Sequence, residues 1–248
     1  MIYGIFIGLS KLDPVSYNSW EGILLAPLND VARMNALIKV DKSWILVDGS
    51  ATVMNVIETI SKVSLKAESS DKVYIYYSGH GASVADNNKD ENDGKDETWC
   101  LYDGMLLDDD LYKILTYFRT GVEIVLISDS CHSGTISKAV EKNLTLSYAK
   151  KYFKFGSNRQ VKRPFILEQS NKPNILTLSA CQDFQYAFDG DPNSLFTEIM
   201  LNVYEMFPEY RYNYIDFIAQ VREQMPKSQT PRLGYKNGRG ILFTKVFE

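Results

Sequence analysis

Two short apolar runs of β-forming residues, 73–77 and 124–127, each stop abruptly on a small polar segment. The first run leads into Tyr77-Ser78-Gly79-His80-Gly81, the second into Asp129-Ser130-Cys131-His132-Ser133-Gly134. Uninterrupted apolar runs of this length fit strands buried on both faces, as in parallel sheets. Open α/β sheets collect ligand-binding residues at the C-terminal ends of their strands, so the pattern predicts that His80 and Cys131 emerge on one edge of one sheet.

Further strand candidates lie at 2–7, 44–47, 175–178 and 241–243, which predicts six strands in all. Helical stripes separate most of them. Leu28, Val31, Met34, Leu37 and Ile38 make one; Val53, Val56, Ile57, Ile60 and Val63 a second; Leu111, Ile114, Leu115 and Phe118 a third. Pro27 suits a helix start, Asp108 is read as an N-cap, and Pro226 closes a last stripe that runs from Tyr214 to Met225. Alternation of this kind implies a three-layer α/β/α sandwich around a mainly parallel six-stranded sheet.

With 248 residues and 45% hydrophobic content, the chain is long enough for one large domain, here taken as 1–248. Two stretches break the rhythm: 86–97 is acidic and polar, and 137–172 is lysine-rich without sustained periodicity, which marks it as an exposed linker-like insert. A net charge of −4 gives no footprint for nucleic acid, and no apolar run reaches the ~20 residues that cross a bilayer. The N-terminal residues lack the pattern of a signal peptide, so a cytoplasmic protein is expected. Three cysteines without metal-ligand spacing argue against a disulfide scaffold or a zinc site.

A thiol at its ordinary pKa is only slightly ionised near neutrality, so a nucleophilic cysteine needs a neighbour that takes its proton. His80 fills that role better than His132, which adjoins Cys131 directly and so points elsewhere. Ser130, Ser133 and Gly134 around Cys131 form a small polar turn that would expose the thiol, with free backbone N–H groups to meet an oxyanion. Cys100 and Cys181 have no such setting and are read as small buried hydrophobes.

The 131 − 80 = 51 spacing is close to the ~50 residues of the caspase pattern. The flanking residues fit a branch of that clan: Tyr-Ser-Gly-His-Gly and Asp-Ser-Cys-His-Ser-Gly resemble the motifs of metacaspases and bacterial caspase-like proteases. The resemblance continues through Asn29-Asp30, the Asp-Gly-Lys-Asp-Glu stretch ending at Glu97, Asp108-Asp109-Asp110-Leu111, Ser179-Ala180-Cys181-Gln182-Asp183 and Leu195-Phe196-Thr197. It implies a caspase-like fold and a peptidase in which Cys131 attacks the scissile carbonyl and His80 protonates the leaving amine. Backbone N–H groups of Gly81 and Cys131 would be the oxyanion donors. The same resemblance implies cleavage after Arg or Lys, with Asp30, Ser78 and Asp129 lining the first specificity pocket and Asp189 as a further acidic position.

Strand geometry agrees for Asp129. Two residues before Cys131, it would point into the same cleft and pair there with a guanidinium or ammonium. Calcium, which many metacaspases need, is disfavoured: the matching acids are Asp96, Asp108 and Asp109, but Lys138 occupies a position where the family carries an acid. No cofactor is therefore expected. Substrates are expected to be proteins or peptides with Arg or Lys at P1, and any regulator to be another protein chain. Self-cleavage in the insert would fall at Lys150-Lys151, Arg159 or Lys162-Arg163. The competing readings are a catalytically inactive caspase-like scaffold and a clan peptidase with Asp or Asn preference at P1.

Overall fold

The computed structural model describes residues 1–85, 95–130, 172–181 and 187–248. Its centre is a six-stranded sheet in the order β2-β1-β3-β7-β8-β9. These strands are β1 (Ile2–Gly8), β2 (Lys42–Val47), β3 (Lys72–Ser78), β7 (Glu123–Asp129), β8 (Asn174–Ser179) and β9 (Arg232–Lys236). All neighbours pair in parallel except β8 and β9, which are antiparallel.

The apolar runs split cleanly between two faces. Ile5, Ile7, Val73, Ile75, Tyr77 and Ile124 face one core, where α2 (Val53–Lys66) and α3 (Asp108–Leu115) pack. Phe6, Tyr74, Tyr76, Val125, Ile127 and Leu178 face the other, packed against α1 (Pro27–Leu37), α4 (Leu195–Met206) and α5 (Tyr214–Gln224). The inner strands β1, β3, β7 and β8 thus bury most side chains of both alternating sets, which is why no polar alternation shows in their sequence. The expected three-layer α/β/α sandwich is the observed one.

Three local expectations need correction. Residues 241–243 do not form the sixth strand: they lie in a 3-10 turn, Arg239–Phe243, whose Ile241 and Leu242 fill the second core. The sixth strand is β9, whose outer residues are charged and exposed, as suits a sheet edge that must not recruit another strand. Asp108 is not an N-cap but the first residue of α3; Leu107 holds the cap position, and Asp108, Asp109 and Asp110 together complement the helix dipole. Finally, part of the acidic stretch belongs to a second, antiparallel sheet of β4 (Gly81–Ala85), β5 (Lys95–Leu101) and β6 (Gly104–Leu107). Its Trp99, Cys100 and Leu101 are buried in the first core.

Gly8 closes β1 where α1 begins. A Cβ there would stand 2.7 Å from Val31 Cγ2 and 2.8 Å from the Pro27 carbonyl oxygen, so the bare backbone is what lets the helix start lie against the strand end. Gly8→Ala is expected to push α1 off the sheet at about 1–3 kcal/mol of stability. A Tm lowered by several degrees in calorimetry bears this out; an unchanged Tm contradicts it.

Candidate active site

The strand ends predicted to carry the chemistry lie side by side. Ser78 and Asp129 are register partners in the β3–β7 ladder, and the Gly79 N–H donates to the Asp129 carbonyl at 3.3 Å. Next to this pair opens a cleft of about 70 Å³, walled by Ser78, His80, Asp129, Ser130, Asp189 and Ser194 and by apolar groups at its mouth. Cys131 follows Ser130 directly in the chain but lies outside the described residues, as do Lys138, the rest of the 137–171 insert and the proposed self-cleavage positions.

His80 is half-buried and packs against Trp20, with ring centroids 4.8 Å apart. Burial pushes its pKa below the ordinary value, against a hydrogen bond to the Gly22 backbone and the charge of Asp189, which both favour the imidazolium. Among the described residues its Nε2 has no hydrogen-bond partner. Gly22, at φ +54°, makes the close approach feasible: a Cβ there would meet Leu12 at 2.9 Å and the His80 ring at 3.2 Å.

Two carboxylates sit behind the cleft, and neither pairs with a cation among the described residues. Asp30, fully buried in the first turn of α1, accepts hydrogen bonds from Ser78 Oγ at 2.8 Å, Asn193 Nδ2 at 2.8 Å and the Ser194 N–H at 3.1 Å. Asp129 Oδ2 accepts from the Thr197 N–H at 3.2 Å, from Thr197 Oγ1 at 2.6 Å and from Ser194 Oγ. Ser194 therefore bridges the two acids. Burial raises the pKa of Asp30 despite these donors. Burial, reinforced by the negative charge of Asp30, raises Asp129 to about 7. A pair this poor in positive charge is a place where a cation is wanted.

Asp189 lines the cleft, but both its oxygens are taken: Oδ2 accepts the Leu25 N–H at 2.8 Å and Oδ1 the Ala26 N–H at 3.0 Å. It clamps the loop ahead of α1 rather than offering an open carboxylate. Gly81 begins β4 opposite Trp99. Asp96 is buried on β5, Asp108 exposed and Asp109 half-buried on α3, and among the described residues no three acidic, histidine or cysteine side chains gather to hold a metal. These three acids do not by themselves form a calcium site. Cys100 and Cys181 are buried, as expected.

An aromatic brace that no residue pattern announces ties the two strand ends together. Tyr77 and Trp99 stack at 4.4 Å, and the Tyr77 hydroxyl donates to the His80 carbonyl at 2.6 Å. Trp99 Nε1 donates to Ser128 Oγ at 2.9 Å, which in turn lies 2.9 Å from Ser130 Oγ, one residue before Cys131. Thr197 belongs to the Leu195-Phe196-Thr197 segment, whereas Ser194, Asn193, Trp20 and Gly22 lie in no motif, and only the folded chain brings them to the site.

The sequence profile described as "Metacaspase, peptidase C14 domain" matches residues 14–139, just over half of the chain. The chain belongs to the metacaspase family. Metacaspase III c of Phaeodactylum tricornutum is 36% identical over 132 residues, covering 47% of this chain and 39% of that protein. Metacaspase-1 of Sclerotinia sclerotiorum is 30% identical over 138 residues, covering 49% and 32%. This metacaspase domain thus matches two-fifths or less of the length of those relatives. A crystal structure of a Geobacter sulfurreducens protein is similar along nearly the whole fold, with a TM-score of 0.79 and 32% identity over 99% of this chain and 98% of that one.

Two outcomes follow from the geometry. Asp129 has a pKa near 3.8 when unfolded and about 7 when folded, so in between the folded metacaspase holds a proton that the unfolded chain lacks. The stability linked to that proton is fully present below about 3.8 and is lost as pH rises through about 7. Wild type should therefore lose more thermal stability across this window than Asp129→Asn; parallel melting curves would contradict the buried-acid account. Trp99→Phe, which keeps the stack but removes the donor to Ser128, should lower the denaturation free energy by about 1 kcal/mol, read from urea midpoints.

Proposed function

We propose that this metacaspase is a cysteine endopeptidase that cleaves after Arg or Lys, with Cys131 as nucleophile and His80 as its acid and base. The observation that carries the reading is the buried pair Asp30 and Asp129, which meets no cation among the described residues, behind a cleft that His80 also lines. A P1 guanidinium entering the cleft would meet Asp129 and Ser78, restore charge balance and favour the ionised carboxylates. A P1 Asp would be repelled by two acids, and a neutral P1 Asn would bring no charge to offset them.

In this scheme the burial that keeps His80 neutral suits it to take the Cys131 proton. The thiolate attacks the scissile carbonyl carbon, a C–S bond forms, and the carbonyl π pair moves to oxygen. Collapse of that adduct breaks the C–N bond while the His80 imidazolium gives its proton to the leaving amine. A water, deprotonated by His80, then attacks the thioester; the C–S bond breaks and Cys131 regains a proton. Every step uses side chains of this chain.

Fluorogenic peptides that differ only at P1, assayed with and without calcium, test the reading. Arg and Lys peptides should be hydrolysed and Asp or Asn peptides left intact; the opposite ranking overturns the basic preference. Cys131→Ala should abolish hydrolysis, and His80→Ala should slow it about 10²–10⁴-fold. KM for an arginine peptide should rise as pH falls through about 7, because protonated Asp129 no longer attracts the cation. On SDS-PAGE, two fragments from wild type and one intact band from Cys131→Ala would support self-cleavage within 137–172; intact bands from both would refute it.

A further inference from the structure

The cleft has a second chemical character at its mouth. Leu24, Pro27, Ala187 and Phe188 line it above the acids, and Trp20 covers the outer face of His80. Of these, Phe188 is 45% exposed and Leu24 half-buried. Neither packs into either hydrophobic core. Single exposed apolar residues are ordinary on any protein surface. These are not scattered, because Asp189 binds the Leu25 and Ala26 backbone and is the next residue after Phe188.

The backbone presenting them is also fixed. The Leu24 N–H donates to the Ser10 carbonyl at 2.9 Å. The Phe188 N–H donates to Gln229 Oε1 at 3.1 Å, and its carbonyl accepts the Leu195 N–H at 3.1 Å. Large apolar side chains held in place, facing solvent and contributing nothing to the core form a surface prepared for something else to cover. An apolar rim over an acidic floor fits a ligand that is apolar and cationic within one residue's distance.

We propose that this rim is a subsite for a large aliphatic or aromatic side chain adjoining the basic P1 residue, so that the preferred substrates are peptides in which Arg or Lys stands next to such a side chain. The inference rests on the peptidase reading above and adds a second determinant to it. Leu24 and Phe188 are the specificity-determining residues, and Asp189 is the positioning residue that holds their two segments together. Covering side chains of this size should favour apolar neighbours by about tenfold or more in kcat/KM, the scale on which hydrophobic pockets discriminate.

The test is a set of quenched-fluorescence peptides with Arg at P1 and Gly, Ser, Asp, Leu or Phe at P2 or, separately, at P1′. Wild type should favour Leu or Phe about tenfold over Gly or Asp at one of the two positions. Leu24→Ser, Phe188→Ser and the double variant should shrink that ratio to about twofold; neither side chain belongs to a core, and melting curves verify that the variants fold. Cleavage at Arg with equal rates across the set overturns the subsite and leaves the peptidase reading standing. A preference that survives in the double variant overturns the assignment to this rim. No cleavage at Arg or Lys by any form overturns the peptidase reading and the subsite with it.

Discussion

The parallel, in-register pairing of β3 with β7 is the constraint on which the site depends. It sets Ser78 opposite Asp129 and joins the two loops that follow through the Gly79 N–H. Side chains alternate between the faces of a sheet, so a slip of one residue would send Asp129 to the wrong side and Ser128 into its place. That register is itself enforced by the cores: Tyr76 and Ile127 must face one layer while Ile75 and Ile124 face the other.

On that frame the protein buries two acids that have no counter-ion among the described residues. Burial of charge is tolerable here because donors surround each carboxylate: Ser78, Asn193 and Ser194 at Asp30, Ser194 and Thr197 at Asp129. Thr197 and Ser194 lie at the start of α4, where unpaired backbone N–H groups favour negative charge. The donors do not cancel desolvation, and both acids stay less acidic than usual. Under the proposed basic preference, a substrate cation would relieve this cost and complete the pair.

Much of this was legible in the residue order. Buried strands such as 73–77 and 124–127 announce themselves by lacking polar alternation, and the strand-end rule then located the cleft. The edge strand Arg232–Lys236 did not, because its exposed charges conceal a one-sided strand, and the buried Ile241 and Leu242 of a 3-10 turn imitated one instead. The hairpin sheet was obscured by small residues at 81–85 and by acids next to Trp99. Asp30, Ser78 and Asp129 came through the family resemblance, and the geometry joins them through hydrogen bonds. The resemblance placed Asp189 at the pocket, where it does line the cleft, but its clamp on the main-chain N–H groups of Leu25 and Ala26, far away in sequence, leaves no side-chain pattern to read.

That last remoteness has a consequence for how the molecule comes into being. Asn193 reaches Asp30 across 163 positions of chain, and Asp189 reaches Leu25 across 164. Links between such distant positions close only after the intervening strands have been threaded into the sheet, which makes them slow and late events of folding. A ribosome-bound or half-assembled chain would therefore own the histidine strand yet lack the closed acidic cleft beside it. Completion of the fold is in that sense the first safety catch.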